Sequence, residues 1–149
     1  MGLALECDFR IASQGARLIP AYRRMGLPGD WGVSWFLTEL AGRQYARRML
    51  VGKLTLTAEE ALAVGLVDEV VAEDELESVV AARTDELAAG SSPATRAAKR
   101  LLRSSGLRDQ IQHEIEATLR CQETAGYREG LLAFAEHREP SFSTQSPNP

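Results

Sequence analysis

The apolar positions of the chain change period part-way along it. Residues 8–22, DFRIASQGARLIPAY, hold two short β-prone runs, Phe9–Ala12 and Arg17–Ile19, on either side of Ser13, Gln14 and Gly15, and predict strand, turn, strand. GLPGDWG follows, in which Gly26, Pro28, Gly29 and Gly32 crowd one carboxylate and one indole into a bent loop. The apolar stretch VSWFLTELAG then predicts a helix ending near Gly42, and Tyr45, Met49 and Leu50 predict a second one closed by Gly52. Thr57-Ala58-Glu59-Glu60 has the form of a capping box opening a short helix that Gly65 stops.

Leu66–Val71 reads as a short strand, and Glu73, Asp74 and Glu75 place negative charge where the dipole of a following helix favours it. Leu76, Val79, Val80, Arg83 and Leu87 form the predicted inner stripe of that helix. Ser92-Pro93 opens another, with Ala94, Ala97, Ala98, Leu101 and Leu102 at amphipathic spacing and small alanines suited to close packing. Ile111, Ile115 and Leu119 recur every four residues, and Tyr127, Leu131 and Phe134 extend the helical pattern beyond Gly126. The segment 140–149, rich in serine and proline, carries too little apolar surface to offset its ordering entropy and is expected to fray.

These elements amount to an α/β protein of about three strands and six helices, with almost all strands in the first half. So small a sheet would leave faces and edges bare, which implies that strands from elsewhere complete it. At 149 residues, with 44% hydrophobic and 26% charged residues, the chain fits one folded core and neither a disordered nor a low-complexity polymer. No apolar run is long enough to span a bilayer and the first residues lack signal-peptide character, so a soluble cytoplasmic protein without membrane partners is expected.

A net charge of −4 removes the bulk attraction on which nucleic-acid binding relies. Cys7 and Cys121 form no paired motif, signal neither disulfide nor zinc, and read as buried thiols. His113 and His137, among Glu114, Glu136 and Arg138, read as residues of solvated helix surfaces. Arg23, Arg24, Arg43, Arg47, Arg48, Lys99 and Arg100 read as solvated faces, any of which could meet an anionic ligand. No nucleotide fingerprint of the G-x-G-x-x-G or P-loop type is present.

Three segments carry a resemblance that periodicity does not supply: MGLALECDFRIAS, GARLIPAYRRMGLPGDWG and GRQYARRMLVGKLTLTAEEALAVGLVDEVV. Together they resemble the enoyl-CoA hydratase/isomerase (crotonase) superfamily from Met1 to about Val71, and more loosely through the helical end. The resemblance implies the C-terminal part of a spiral of ββα units: a partial α/β core at 1–71, then a helical trimerisation and lid region at 72–139. It implies an acyl-CoA thioester as substrate, no separate cofactor, and a homotrimer or higher oligomer in which helix 93–103 takes part. Two backbone N–H groups of such a fold stabilise an enolate-like oxyanion, each donor worth about 2.7–4 kcal/mol in mutational cases.

Family hydratases use two glutamates, and the positions matching them here are Gly2 and Tyr22. Asp30 instead matches the carboxylate that some isomerases and an aryl-CoA dehalogenase carry in the glycine-rich loop, where it acts as base or nucleophile. Asp30 is therefore the candidate catalytic residue. Tyr22, Gly29 and Trp31 are candidate substrate-binding residues, Trp35 a further wall of an apolar pocket that would desolvate Asp30, and Phe134 a pocket residue from the C-terminal helices. Met1 falls inside a glycine-rich stretch that the family carries mid-chain, which implies a truncated reading frame, a frameshifted gene or an internal start, lacking the oxyanion-hole half and impaired on its own. The resemblance thus leaves two expectations: acyl-CoA processing through Asp30, or a catalytically inactive remnant acting only through oligomerisation or partner binding.

Overall fold

The computed structural model describes residues 1–89, 95, 98, 99, 102 and 106–142, and four short strands among them lie in two separate pairs. Strand β1 (Ile11–Ser13) runs parallel to β4 (Glu69–Val71), with Ile11 opposite Glu69 and Ser13 opposite Val71. Strand β2 (Arg17–Leu18) runs antiparallel to β3 (Leu56–Thr57). The expected strand, turn, strand therefore does not close as a hairpin. The Ala16 N–H donates to the Ser13 carbonyl, but the turn hands the chain from one sheet to the other. Pairing partners lie some forty to sixty residues away, where alternation along a single strand carries no information about them.

Helix α1 (Gly2–Glu6) lies on α2 (Val33–Leu50), and Leu5 joins Val33, Leu37, Met49, Leu56 and Leu66 in the core. Gly42 breaks α2 with φ of 80° and ψ of 159°, where the sequence pattern divides it into two helices. Helix α3 (Ala58–Ala63) begins with the predicted capping box: Glu60 N–H donates to Thr57 Oγ1 and Thr57 N–H to Glu60 Oε2. Its N-terminal placement fixes where β3 ends, and so the register of β2 against it.

Helix α4 (Leu76–Ala89) follows β4 and packs on β1. Its stripe is shallower than predicted. Leu76, Val79 and Arg83 are half-buried, Arg83 by pairing with Glu69 at 3.1 Å, while Val80 and Leu87 are exposed. Helices α5 (Leu107–Gln122) and α6 (Ala125–Ala135) complete the helical end, α5 against α2 and α6 against the 3₁₀ turn Ala21–Met25. Most of the predicted helix 93–103, and the segment beyond 142, lie outside the described residues. Cys7 is exposed and Cys121 half-buried, because Cys7 falls on the outer side of the α1 exit rather than in the core. No helix among the described residues is long and apolar enough to cross a membrane.

Candidate active site

The bent loop between the 3₁₀ turn and α2 is built from unusual backbone. Gly29 has φ of 140°, Trp31 of 50° and Gly32 of 71°. Two of the three are glycines, which adopt such angles without a side-chain penalty, whereas Trp31 carries left-handed strain of the kind that clusters at functional loops. Asp30 sits between them, exposed at the mouth of a cavity of about 360 Å³ walled by Trp31, Ile111, Glu114, Ile115, Thr118 and Leu119.

Tyr22 reaches this bend from the 3₁₀ turn. Its hydroxyl is held protonated well above the ordinary tyrosine range, first by burial, then by a hydrogen bond to the Asp30 carboxylate and by that carboxylate's charge; a backbone hydrogen bond at Gly2 opposes the shift and the charge of Glu114 adds to it. Tyr22 thus stays neutral beside Asp30, with a hydroxyl able to donate. Gly2 closes the third side: a Cβ placed there would lie 2.7 Å from the Trp31 carbonyl oxygen and 2.8 Å from that of Asp30. Gly2, Tyr22 and Asp30, the three positions that the resemblance singles out, therefore meet at one bend, and at the first of them the bend leaves no room for a side chain.

The structure disperses the other candidates. Gly29 is buried beneath the bend and accepts a hydrogen bond from Thr118 Oγ1 at 3.2 Å. Trp31 is 68% exposed along one side of the cavity. Trp35 lies apart from it, in a depression shared with Glu6, Phe36 and Leu40, because two residues along α2 it projects from roughly the opposite side to Val33, which packs at the bend. With Trp35 turned away and Trp31 open to solvent, the expected desolvation of Asp30 is not met. Phe134, 70% exposed, lines a different depression with Ala21, Met25 and His137.

One residue of this site escaped sequence reasoning. Glu114, expected on a solvated surface, is only 7% exposed. Its carboxylate accepts hydrogen bonds from the Gly32 N–H at 2.7 Å, the Ser34 N–H at 2.9 Å and the Ser34 hydroxyl at 2.5 Å. Gln110 Nε2 donates to the same hydroxyl at 2.6 Å. The overlooked signal is a spacing: Ile111, Glu114, Ile115 and Thr118 follow i, i+3, i+4, i+7 and share one helix face, so the glutamate and threonine point where the isoleucines point.

Comparison with known proteins decides what this arrangement belongs to. The family model described as Enoyl-CoA hydratase/isomerase matches residues 1–145. The chain belongs to that family. It is 35% identical over 145 residues to a probable enoyl-CoA hydratase of Rhodobacter capsulatus, covering 95% of this chain and 56% of that protein. A trans-2-decenoyl-[acyl-carrier-protein] isomerase of Streptococcus mutans is 31% identical, with 95% and 55% covered. Among solved structures, an enoyl-CoA hydratase from Mycobacterium avium subsp. paratuberculosis superposes with a TM-score of 0.88 at 32% identity, over 95% of this chain and 59% of that one. The α/β architecture is accordingly a partial crotonase-like fold, and the chain spans a little over half the length of the curated relatives it matches.

Proposed function

We propose that this chain carries the acid/base part of an acyl-thioester site in a crotonase-family protein of the hydratase/isomerase kind, with Asp30 as the group that takes up or returns the proton next to the thioester carbonyl. The observation that carries the reading is that Asp30, at the rim of an apolar cavity, has Tyr22 and Gly2 packed against the bend that carries it. A carboxylate is a competent proton carrier when a fixed donor orients it, and Tyr22 supplies that donor. The cavity walls of Ile111, Ile115, Leu119 and Trp31 suit an acyl chain rather than a charged group. With no second carboxylate at the Gly2 and Tyr22 positions, single-carboxylate chemistry such as double-bond migration, or attack by the carboxylate itself, fits better than water addition shared between two glutamates. Acyl-CoA is the substrate class, and relatives whose names include enoyl-CoA hydratases support it.

Calorimetric titration with CoA and with crotonyl-CoA tests the proposal. Measurable heat with crotonyl-CoA and a turnover lost in Asp30→Asn are expected; a silent titration of folded protein refutes it.

A second reading, association without catalysis, is favoured by a different observation. Among the described residues β1 and β2 each pair along one edge only, and between them opens a cavity of about 610 Å³ reached by Phe9, Ile11 and Ile19, of which Phe9 and Ile19 are exposed. Bare strand edges beside apolar side chains are templates for another polypeptide strand. Light scattering separates the two surfaces: a defined trimer points to packing through the helical end, and polydisperse material to the uncovered edges.

A further inference from the structure

The bend that carries Asp30 is tied from outside its own stretch of sequence. Gln110, Glu114 and Thr118 recur every four residues on α5 and grip residues 29–34 in turn: Thr118 holds the Gly29 carbonyl, Glu114 the Gly32 and Ser34 amides and the Ser34 hydroxyl, and Gln110 the same hydroxyl. Asp30 and Trp31 lie between the gripped residues. A buried carboxylate without a neighbouring cation is costly unless its lone pairs are satisfied, and among the described residues Glu114 forms no ion pair. It persists because three donors and the positive end of α2 face it. An apolar residue would join α5 to α2 equally well, but it could not hold the strained backbone at Trp31 and Gly32.

We infer that Glu114 is the positioning residue of the Asp30 bend. It contributes to the cavity wall, but both of its carboxylate oxygens are taken by donors of the bend, so it acts through the backbone: it fixes the C-terminal side of Asp30 while Thr118 fixes the N-terminal side. The direction in which the Asp30 carboxylate meets Tyr22 and the cavity follows from that hold. Its bearing on chemistry rests on the Asp30 reading above, whereas the hold itself does not.

The test compares the full chain with Glu114→Gln, which keeps volume and one acceptor oxygen but brings an N–H₂ against an N–H donor. Amide exchange followed by NMR at Gly32 and Ser34 is expected to quicken about tenfold or more, as one charge-assisted bond is lost, with the Glu60 amide of the capping box unchanged. Turnover of crotonyl-CoA is expected to fall about 10–100-fold in kcat, the penalty of a misplaced catalytic group, with KM little changed. Unchanged exchange at Gly32 and Ser34 overturns the inference, and so does quickened exchange with kcat intact. Should Glu114→Gln fail to fold, Ser34→Ala removes the hydroxyl arm alone, and an unaltered kcat in that variant overturns the inference as well. Asp30→Asn is measured alongside: turnover that survives it, or turnover absent from the wild type, defeats the functional reading, and the exchange rates then decide the hold of Glu114 by themselves.

Discussion

Replacing Gly2 with alanine pits two physical effects of opposite sign against each other. Gly2 lies in the first turn of α1 with ordinary helical backbone, so helix propensity alone predicts that alanine stabilises by roughly 0.5–1 kcal/mol. Packing predicts the reverse. The new methyl would stand 2.7 Å from the Trp31 carbonyl oxygen, 2.8 Å from the Asp30 carbonyl oxygen and 2.8 Å from Trp31 Cβ. All three are parts of a bend clamped from its other side, not the ends of flexible side chains. Overpacking of this kind costs about 1–3 kcal/mol, so central value against central value the net is a loss of roughly 1 kcal/mol. For a chain of this size that lowers Tm by about 2–4 °C. Scanning calorimetry reads the sign, and a shift in tryptophan emission reports the displaced bend. A Tm equal to or above that of the wild type would refute the claim that α1 seals the Asp30 bend, and with it the explanation of why no glutamate fits at position 2.

Other consequences concern stability. Thr57→Ala removes one arm of the capping box that opens α3 and is expected to cost about 1 kcal/mol, read as a lower urea midpoint at unchanged slope. Glu129 has its carboxyl pulled down to about 2 by the Arg138 guanidinium and then by the Ser141 N–H, so its stabilising contribution is present above the ordinary value of 4.5 and disappears as pH falls through about 2. Glu129→Gln should therefore be less stable than the wild type at neutral pH, with the gap closing across that acid window in a thermal-melt series; a gap independent of pH contradicts the assignment.

Local rules made parts of this molecule readable in advance. The capping box, the break at Gly42 and the glycine stop at Gly65 depend on residues within a few positions of one another, and all three stand where the pattern puts them. Strand pairing did not follow, because β1 finds β4 across more than fifty residues and a strand of three carries no record of its partner. The candidate site divides along the same line. The bend that holds Asp30 and Trp31 was legible because glycines crowd it into seven residues, and Tyr22 was singled out by the resemblance alone.

Glu114 was not, since a glutamate with His113 and Glu116 close by in sequence reads as solvated until the helix face it shares with Ile111 and Ile115 is seen to cover the bend. That same face explains why Ile115 and Leu119 remain 49% and 57% exposed although their spacing is that of a core stripe: they wall a cavity instead of filling one. Trp35 stands elsewhere for a comparable reason, its angular position round α2 placing it on the side away from Asp30.

The central claim is that Asp30 moves a proton at the carbon beside a thioester carbonyl. Incubating the full chain with butyryl-CoA in D₂O and following deuterium at that carbon by NMR tests it without requiring hydration, migration or any other complete turnover. The account predicts incorporation above the rate in protein-free buffer that returns to the buffer rate in Asp30→Asn while melting remains cooperative. Incorporation at the buffer rate in the wild type, or equal incorporation in both proteins, would contradict it.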